Sequence, residues 1–394
     1  MQSSALERIV QFRNLMQGEL FPVLETQVGP LTKAAKLLTA VVSIEPLARY
    51  VPQHRAWTGR PACDRLSLAT AFFAKAVYNL ATTRQLRERL QTDTQLRRLC
   101  GWDRAEEVPA EATFSRAFAE FAALGLPAKV HAALVHSTVG EACFEYVARD
   151  STAIEAREHL PQDYLEKQRR KQEAAHAPKP RKDRYQKYRG KRRGAKPGPH
   201  KRARAKERGP RLQRQQYMSI DEMLAELPKE CSLGAKTSSK GHQQYWRGYK
   251  LHWDVAAAGR IPISCVLTSA HVHDSQVAIP LMQMSAQRTT WRCDVMDSAY
   301  DAKYIRAQAE KLGHETLIQP AARSGLPNAT PPRAFSEQDK VRFRNRTVVE
   351  QLNARLKDEF GGRLIYLRGA SKIMAHLMFG IVALTVDQLL RFSP

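Results

Sequence analysis

Residues 143–150 read CFEYVARD, and residues 292–298 read RCDVMDS. Both runs are short, apolar and rich in residues that suit a pleated, half-buried surface, which predicts buried strands. Each runs into a carboxylate, Asp150 in the first and Asp297 in the second. Two strands that end in acids are a simple way to set two carboxylates side by side at one edge of a sheet. Taken singly, either aspartate reads better as a turn former or a helix cap.

Further strands are expected at YKLHWDVAA (249–257), IPISCVLTSA (261–270) and HETLIQP (314–320). Helical spacing falls between and after them, near 274–285, 302–312, 345–358 and 371–391, so the second half reads as an α/β domain. Residues 1–140 read as helical throughout, with periodic apolar positions in LTKAAKLLTAVV, LSLATAFFAKAVYNL, LRERLQTDTQLRRL and FSRAFAEFAALG. The last of these has Pro109 ahead of it and Thr113 as its expected cap. Such helices suit a helix-turn-helix-like reader and a plain bundle equally.

The charge is concentrated. The 394 residues carry 63 Lys and Arg against 39 Asp and Glu, a net +24. Residues 167–214 hold 21 of the cations and three of the acids, which is +18 of that total. With five prolines and almost no aliphatic residues this stretch cannot bury a core, and it reads as a flexible basic arm or a solvated linker. An excess of this kind points to a polyanionic partner, and phosphate neutralisation supplies sequence-independent, salt-sensitive affinity. Six scattered cysteines without a C-x-x-C pair speak against a disulfide scaffold and a cysteine zinc ribbon. The N-terminus lacks the form of a secretory leader. The apolar run Met374 to Leu390 is interrupted by His376, Thr385, Asp387 and Gln388, so no membrane span is expected there. A phosphate-cradling glycine loop is absent.

The segment VRFRNRTVVEQLNARLKDEFGG (341–362) predicts one helix ending at Gly361–Gly362. At about 100° per residue, Phe343, Arg346, Glu350, Asn353 and Lys357 fall within roughly 80° of one another, and Val348, Val349, Leu352 and Leu356 lie opposite. A solvated charged face gives the same stripe. Several other residues read more simply as structural. Asp274 and Asp301 are expected to cap helices, and Cys293 to be core. His271 and His273, without a third ligand nearby, make a weak zinc site, and Trp246 and Trp291 read as packing or as base-stacking rings.

Five blocks in order resemble the DDE transposases of bacterial insertion sequences, in the group with a Y-x2-R-x3-E-x6-K signature. They are ARDSTAIEAREH around Asp150, GHQQYWRGYKLHWDVA, LTSAHVHDSQVAIPLM, MDSAYDA around Asp297 and NRTVVEQLNARLK around Glu350. Upstream, residues 84–118 look like the helical N-terminal domain of one branch. Two departures stand out. Phe343 occupies the signature's tyrosine position, which removes a hydroxyl that contacts phosphate in the family, and His271 stands where many relatives carry Asn.

The resemblance implies a ribonuclease H-like catalytic domain, a mixed sheet flanked by helices, behind an N-terminal all-α domain. The division is then 1–140 helical and DNA-binding, 141–166 the first strand region, 167–214 the basic arm, and 215–394 the rest of the catalytic domain. It implies Asp150, Asp297 and Glu350 as catalytic ligands of two Mg²⁺ or Mn²⁺ ions, with Asp150 shared. Arg346, Lys357 and Asn353 would contact DNA near the site, and Arg192, Arg193, Lys201, Arg202 and Arg204 would do so from the arm. The expected partners are double-stranded DNA (terminal inverted repeats and target) and a second copy of the chain as a homodimer, in the bacterial cytoplasm on the nucleoid. Two other readings remain open from the residues: an inactive DNA-binding derivative, and a ribonuclease H-fold nuclease that cuts without joining.

Overall fold

A computed structural model describes residues 5–52, 62–162, 210–237, 242–319 and 335–392, with a few positions between 165 and 173. The first eight helices are α1 (Ala5–Leu15), α2 (Phe21–Val28), α3 (Lys33–Ile44), α4 (Arg65–Val77), α5 (Thr83–Thr92), α6 (Thr94–Leu99), α7 (Glu111–Leu124) and α8 (Leu126–Val139). Local chemistry sets their ends. The Asp64 carboxylate accepts from the Leu66 and Ser67 amides to start α4, and Thr82 and Gln85 form a capping box at α5. The run LRERLQTDTQLRRL, read as helical, is two helices that break at Asp93. That residue ends α5 and caps α6 by accepting from Leu96 N at 3.0 Å. Thr113 is not a cap: α7 starts two residues earlier, after Ala110. Gly125, at φ 63°, turns the chain from α7 into α8.

One mixed sheet follows, built from β1 (Cys143–Glu155), β2 (Ser232–Thr237), β3 (Gln243–Ala256), β4 (Ile261–Ser269), β5 (Thr290–Met296) and β6 (Glu315–Ile318). β1 is central. It runs antiparallel to β3 and parallel to β5, β5 is parallel to β6, and β2 and β4 pair with β3. This is the architecture expected of a ribonuclease H-like domain. Strand β2 was not foreseen, because SLGAKT has neither a clear alternation nor a β-branched run. Between and after the strands come α9 (Arg211–Arg214), α10 (Ile220–Ala225), α11 (Ser275–Ala286), α12 (Lys303–Lys311), α13 (Glu337–Phe343), α14 (Thr347–Glu359) and α15 (Ala370–Arg391). Most of the basic arm, including Arg192, Arg193, Lys201, Arg202 and Arg204, lies outside the described residues. Its last residues are docked: α9 places Arg211 and Arg214 against Glu226.

The last helix joins the two halves. By length and apolar composition α15 passes as a membrane span, despite its polar interruptions, yet 89% of its most apolar window is buried inside the protein. It packs on α3, α4, α7 and α8 from one side and on β4 from the other. Phe379 sits 4.8 Å from the Phe73 ring and near Phe72 and Phe118, a burial that contributes about 2–3 kcal/mol for such a side chain. N-terminal helices and sheet therefore share one continuous core.

Candidate active site

The register of β1 against β5 pairs Val147 with Asp294, Ala148 with Val295 and Arg149 with Met296. Asp150 and Asp297 directly follow that last rung on the two strands, and neighbouring strands lie about 4.8 Å apart. The two acids thus leave the sheet side by side. Asp297 does so where β5 ends, and its carboxylate accepts from Ala299 N at 2.9 Å to start a 3₁₀ turn, Ser298–Tyr300. Asp150 differs from expectation. β1 does not end there but continues to Glu155, because the longer β3 keeps pairing with it, Asp150 opposite Trp253.

The predicted helix is broken in two. A 3₁₀ turn, Arg344–Arg346, separates α13 from α14, so Glu350 stands in the first turn of α14 and not midway along one helix. The stripe survives the break. Val349, Leu352 and Leu356 are buried, while Arg346 reaches back to the sheet, 3.4 Å from Asp150 Oδ2 and 2.6 Å from Glu350 Oε1. Arg346 is thus the counter-charge shared by two of the three expected acids. Asn353 Oδ1 accepts from the buried Trp253 indole at 3.0 Å, which fixes α14 over the strand that faces Asp150. Lys357 is half-buried; burial, then the nearby Arg363, lowers its pKa. The Phe343 ring packs 5.2 Å from Phe335 beside Val295 and Leu317, so at this position the ring serves the core.

Burial pushes the Asp150 carboxyl up to about 6; the Ser151 backbone amide and Arg346 pull it down, and the negative charges of Asp297 and Asp274 push it up again. Asp297 is raised chiefly by burial and again by Asp274. Two half-dry carboxylates that repel one another favour a hard cation with oxygen ligands, so this pair fits a divalent ion. Glu350 is turned to Arg346. Among the described residues no three His, Cys, Asp or Glu side chains converge on one point.

Sequence reading passed over Asp274, which does not cap α11 with its side chain. Instead it accepts from Ser151 Oγ at 2.9 Å and Lys250 Nζ at 3.0 Å, and its charge acts on Asp150, Asp297 and the buried Tyr300. Burial works to raise its pKa, and His252, Lys250 and Ser151 outweigh that and lower it. The HVHDS block was its signal. Asp301 is no helix cap either, pairing with Arg306 at 3.0 Å. His271 Nδ1 lies 2.9 Å from Ser232 Oγ and so ties the turn after β4 to β2, which gives that histidine a structural role. Trp291 is buried against His314, and Trp246 lies over Gly234, where any Cβ would meet the indole at 2.3 Å. On the face opposite Asp150, Arg149 is fully buried and gripped by Asp254 at 2.7 and 2.8 Å and by Asp294 at 3.2 Å.

Family models for the transposase DDE domain and for a transposase domain (DUF772) match residues 213–386 and 23–120. The chain is a DDE transposase of the insertion-sequence type. The first match takes in Asp297 and Glu350 and begins after Asp150; the second covers the helices from α2 to most of α7. No curated protein and no solved structure matches this transposase. Membership makes it a nuclease-type enzyme that binds DNA at element ends, and the family depends on divalent metal.

Proposed function

We propose that this transposase cuts DNA at the ends of a bacterial insertion sequence and joins the freed 3′-hydroxyl to target DNA. The observation that carries the reading is that Asp150 and Asp297 directly follow the last rung of β1 with β5, and that Arg346 contacts both Asp150 and Glu350. Asp150 would hold both of two Mg²⁺ or Mn²⁺ ions, and Asp297 and Glu350 would each complete one. Bound there, such ions stabilise charge on the attacking and leaving oxygens of phosphoryl transfer. Glu350, 53% exposed and one turn from Arg346, has room to rotate toward the pair. Arg346, released from the carboxylates, then grips a phosphate of the bound strand, and Lys357 a second. Asn353 positions α14 through Trp253 and lends its amide N–H to the backbone more weakly.

Residues 1–140 are assigned to recognition of the terminal repeats, 141–166 and 215–394 to catalysis, and 167–214 to sequence-independent backbone contact through Arg192, Arg193, Lys201, Arg202 and Arg204. Pairing of two element ends calls for a homodimer, working in the bacterial cytoplasm on the nucleoid. A joining assay with pre-cleaved ends, with and without Mg²⁺, tests the scheme against Asp150→Ala, Asp297→Ala and Glu350→Ala. Each variant is expected to lose both cutting and joining while still binding DNA. Joining at the wild-type rate by any of them removes that residue from the site, and cutting without joining by the wild type points to a plain nuclease.

A further inference from the structure

Helices α4, α5 and α15 enclose a cavity of about 110 Å³ whose lining includes Lys75, Thr82, Thr83, Tyr366 and His376 beside the apolar Phe72 and Phe118. Lys75, in the last turn of α4, is 7% exposed. Among the described residues its ammonium makes no hydrogen bond and no ion pair, and burial alone pushes it down to about 8. A lysine so placed remains largely cationic at neutral pH, and an unpaired buried cation is costly. Nothing in the cavity answers it. No carboxylate lines the space, and burial holds the His376 imidazole at about 3, its Nε2 3.0 Å from Gly361 O.

What the cavity does offer suits an anion. Thr83 is the first residue of the ten-residue α5; the Thr82–Gln85 capping box already takes the Thr82 and Gln85 amides, so the helix end adds its dipole and the Thr83 side chain beside the ammonium. At the rim stands Tyr366, 42% exposed, with the Arg157 guanidinium 4.5 Å from its ring centre. The cavity is also tied to the catalytic helix. Asn79, just past α4, donates to Asp358 O at 2.8 Å and accepts from Gly361 N at 2.9 Å, which clamps the end of α4 to the end of α14. From Glu350 to Phe360 the helix rises about 15 Å, with Lys357 on the way and Arg363 just beyond. That span equals about four or five phosphate steps of a DNA strand at 3.4 Å each.

We propose that this cavity receives a phosphodiester phosphate of the DNA lying across the catalytic face, with Lys75 as its counter-charge. DNA as the source of the phosphate rests on the transposase reading above, whereas the anion site itself does not. Two full-length variants test it, each by thermal melting and by binding of a duplex of arbitrary sequence over a range of salt. Lys75→Met removes the buried charge, and Thr83→Glu places an acid at the helix end where it favours α5 but repels an anion. Both are expected to melt at or above the wild-type temperature in phosphate-free buffer. Both should lower the slope of log K against log salt by about 0.9, the loss of one phosphate contact.

A third arm compares inorganic phosphate with chloride at equal ionic strength. If phosphate raises the melting temperature of the wild type alone while all three salt slopes coincide, the site takes the free ion and DNA is not its occupant. If Lys75→Met melts below the wild type and neither slope nor phosphate response changes, the ammonium is a structural group and the site is refuted. None of these readouts needs cutting or joining, so they separate from failure of the carboxylate assignment.

Discussion

Replacing Arg149 by Met leaves Asp254 and Asp294 facing one another inside the sheet with no cation between them. In the wild type the guanidinium makes two bonds to Asp254 and lies 3.2 Å from Asp294, all three side chains fully buried. Ser285 Oγ donates to Asp254 at 2.7 Å, and His314 Nδ1 lies 3.2 Å from Asp294, but neither spans the gap. Breaking a buried pair in this way costs about 3–5 kcal/mol. Unfolding entropy of about 2.1 cal/mol/K per residue, over 394 residues, is about 0.8 kcal/mol/K, so the melting temperature should fall by about 4–6 °C. The loss should depend on pH in a definite direction. Asp254 already has a raised pKa from burial, which Arg149 opposes, and without Arg149 it rises further. A carboxyl whose folded pKa lies above its unfolded value destabilises at high pH and ceases to do so once protonated in both states. The deficit should therefore shrink from pH 8 toward pH 5. Thermal melts of both proteins across that range are the assay, with Arg149→Met/Asp254→Leu/Asp294→Leu expected to recover most of the loss. A melting temperature within about 1 °C of wild type, or a deficit independent of pH, refutes the idea that this buried triad clamps β1 between β3 and β5.

Asp150→Asn should stabilise the metal-free protein by about 1–3 kcal/mol at pH 7.5, since the wild-type carboxyl is raised to about 6 by burial. The gap should close as pH falls from about 6 toward 4, and a variant that melts no higher than wild type at pH 7.5 contradicts the desolvation argument. Gly248→Ala should lower the melting temperature by several degrees. Gly248 has φ 146°, and a Cβ there would sit 2.2 Å from Ile154 O, against the backbone of β1; unchanged stability by calorimetry would show that β1 and β3 separate freely at that point. Deleting residues 167–209, which spares the docked α9, should flatten the salt dependence of DNA binding, and an unchanged slope in a titration would leave the segment as a bare linker.

The amino-acid order by itself determined most of the strands and helices that carry the candidate site, because hydrophobic period and the position of acids at strand ends are local properties. CFEYVARD and RCDVMDS marked the two aspartates, and the spacing from Phe343 to Lys357 marked the third acid with its cations, before any contact was known. Only the tertiary structure decided the rest. Register put Asp150 and Asp297 directly after the last rung shared by β1 and β5, β3 carried β1 past Asp150, and a 3₁₀ turn moved Glu350 to a helix start. Asp274, read as a cap, became a charge felt by both aspartates because Ser151 and Lys250, distant in the chain, reach it. The apolar run Met374 to Leu390, read as too interrupted for a membrane span, lies in a helix packed against both the N-terminal helices and β4. Lys75 drew no comment from the sequence, and only packing by the neighbouring helices left it 7% exposed. Local pattern follows from neighbours along the chain, whereas desolvation and partner choice follow from neighbours in space.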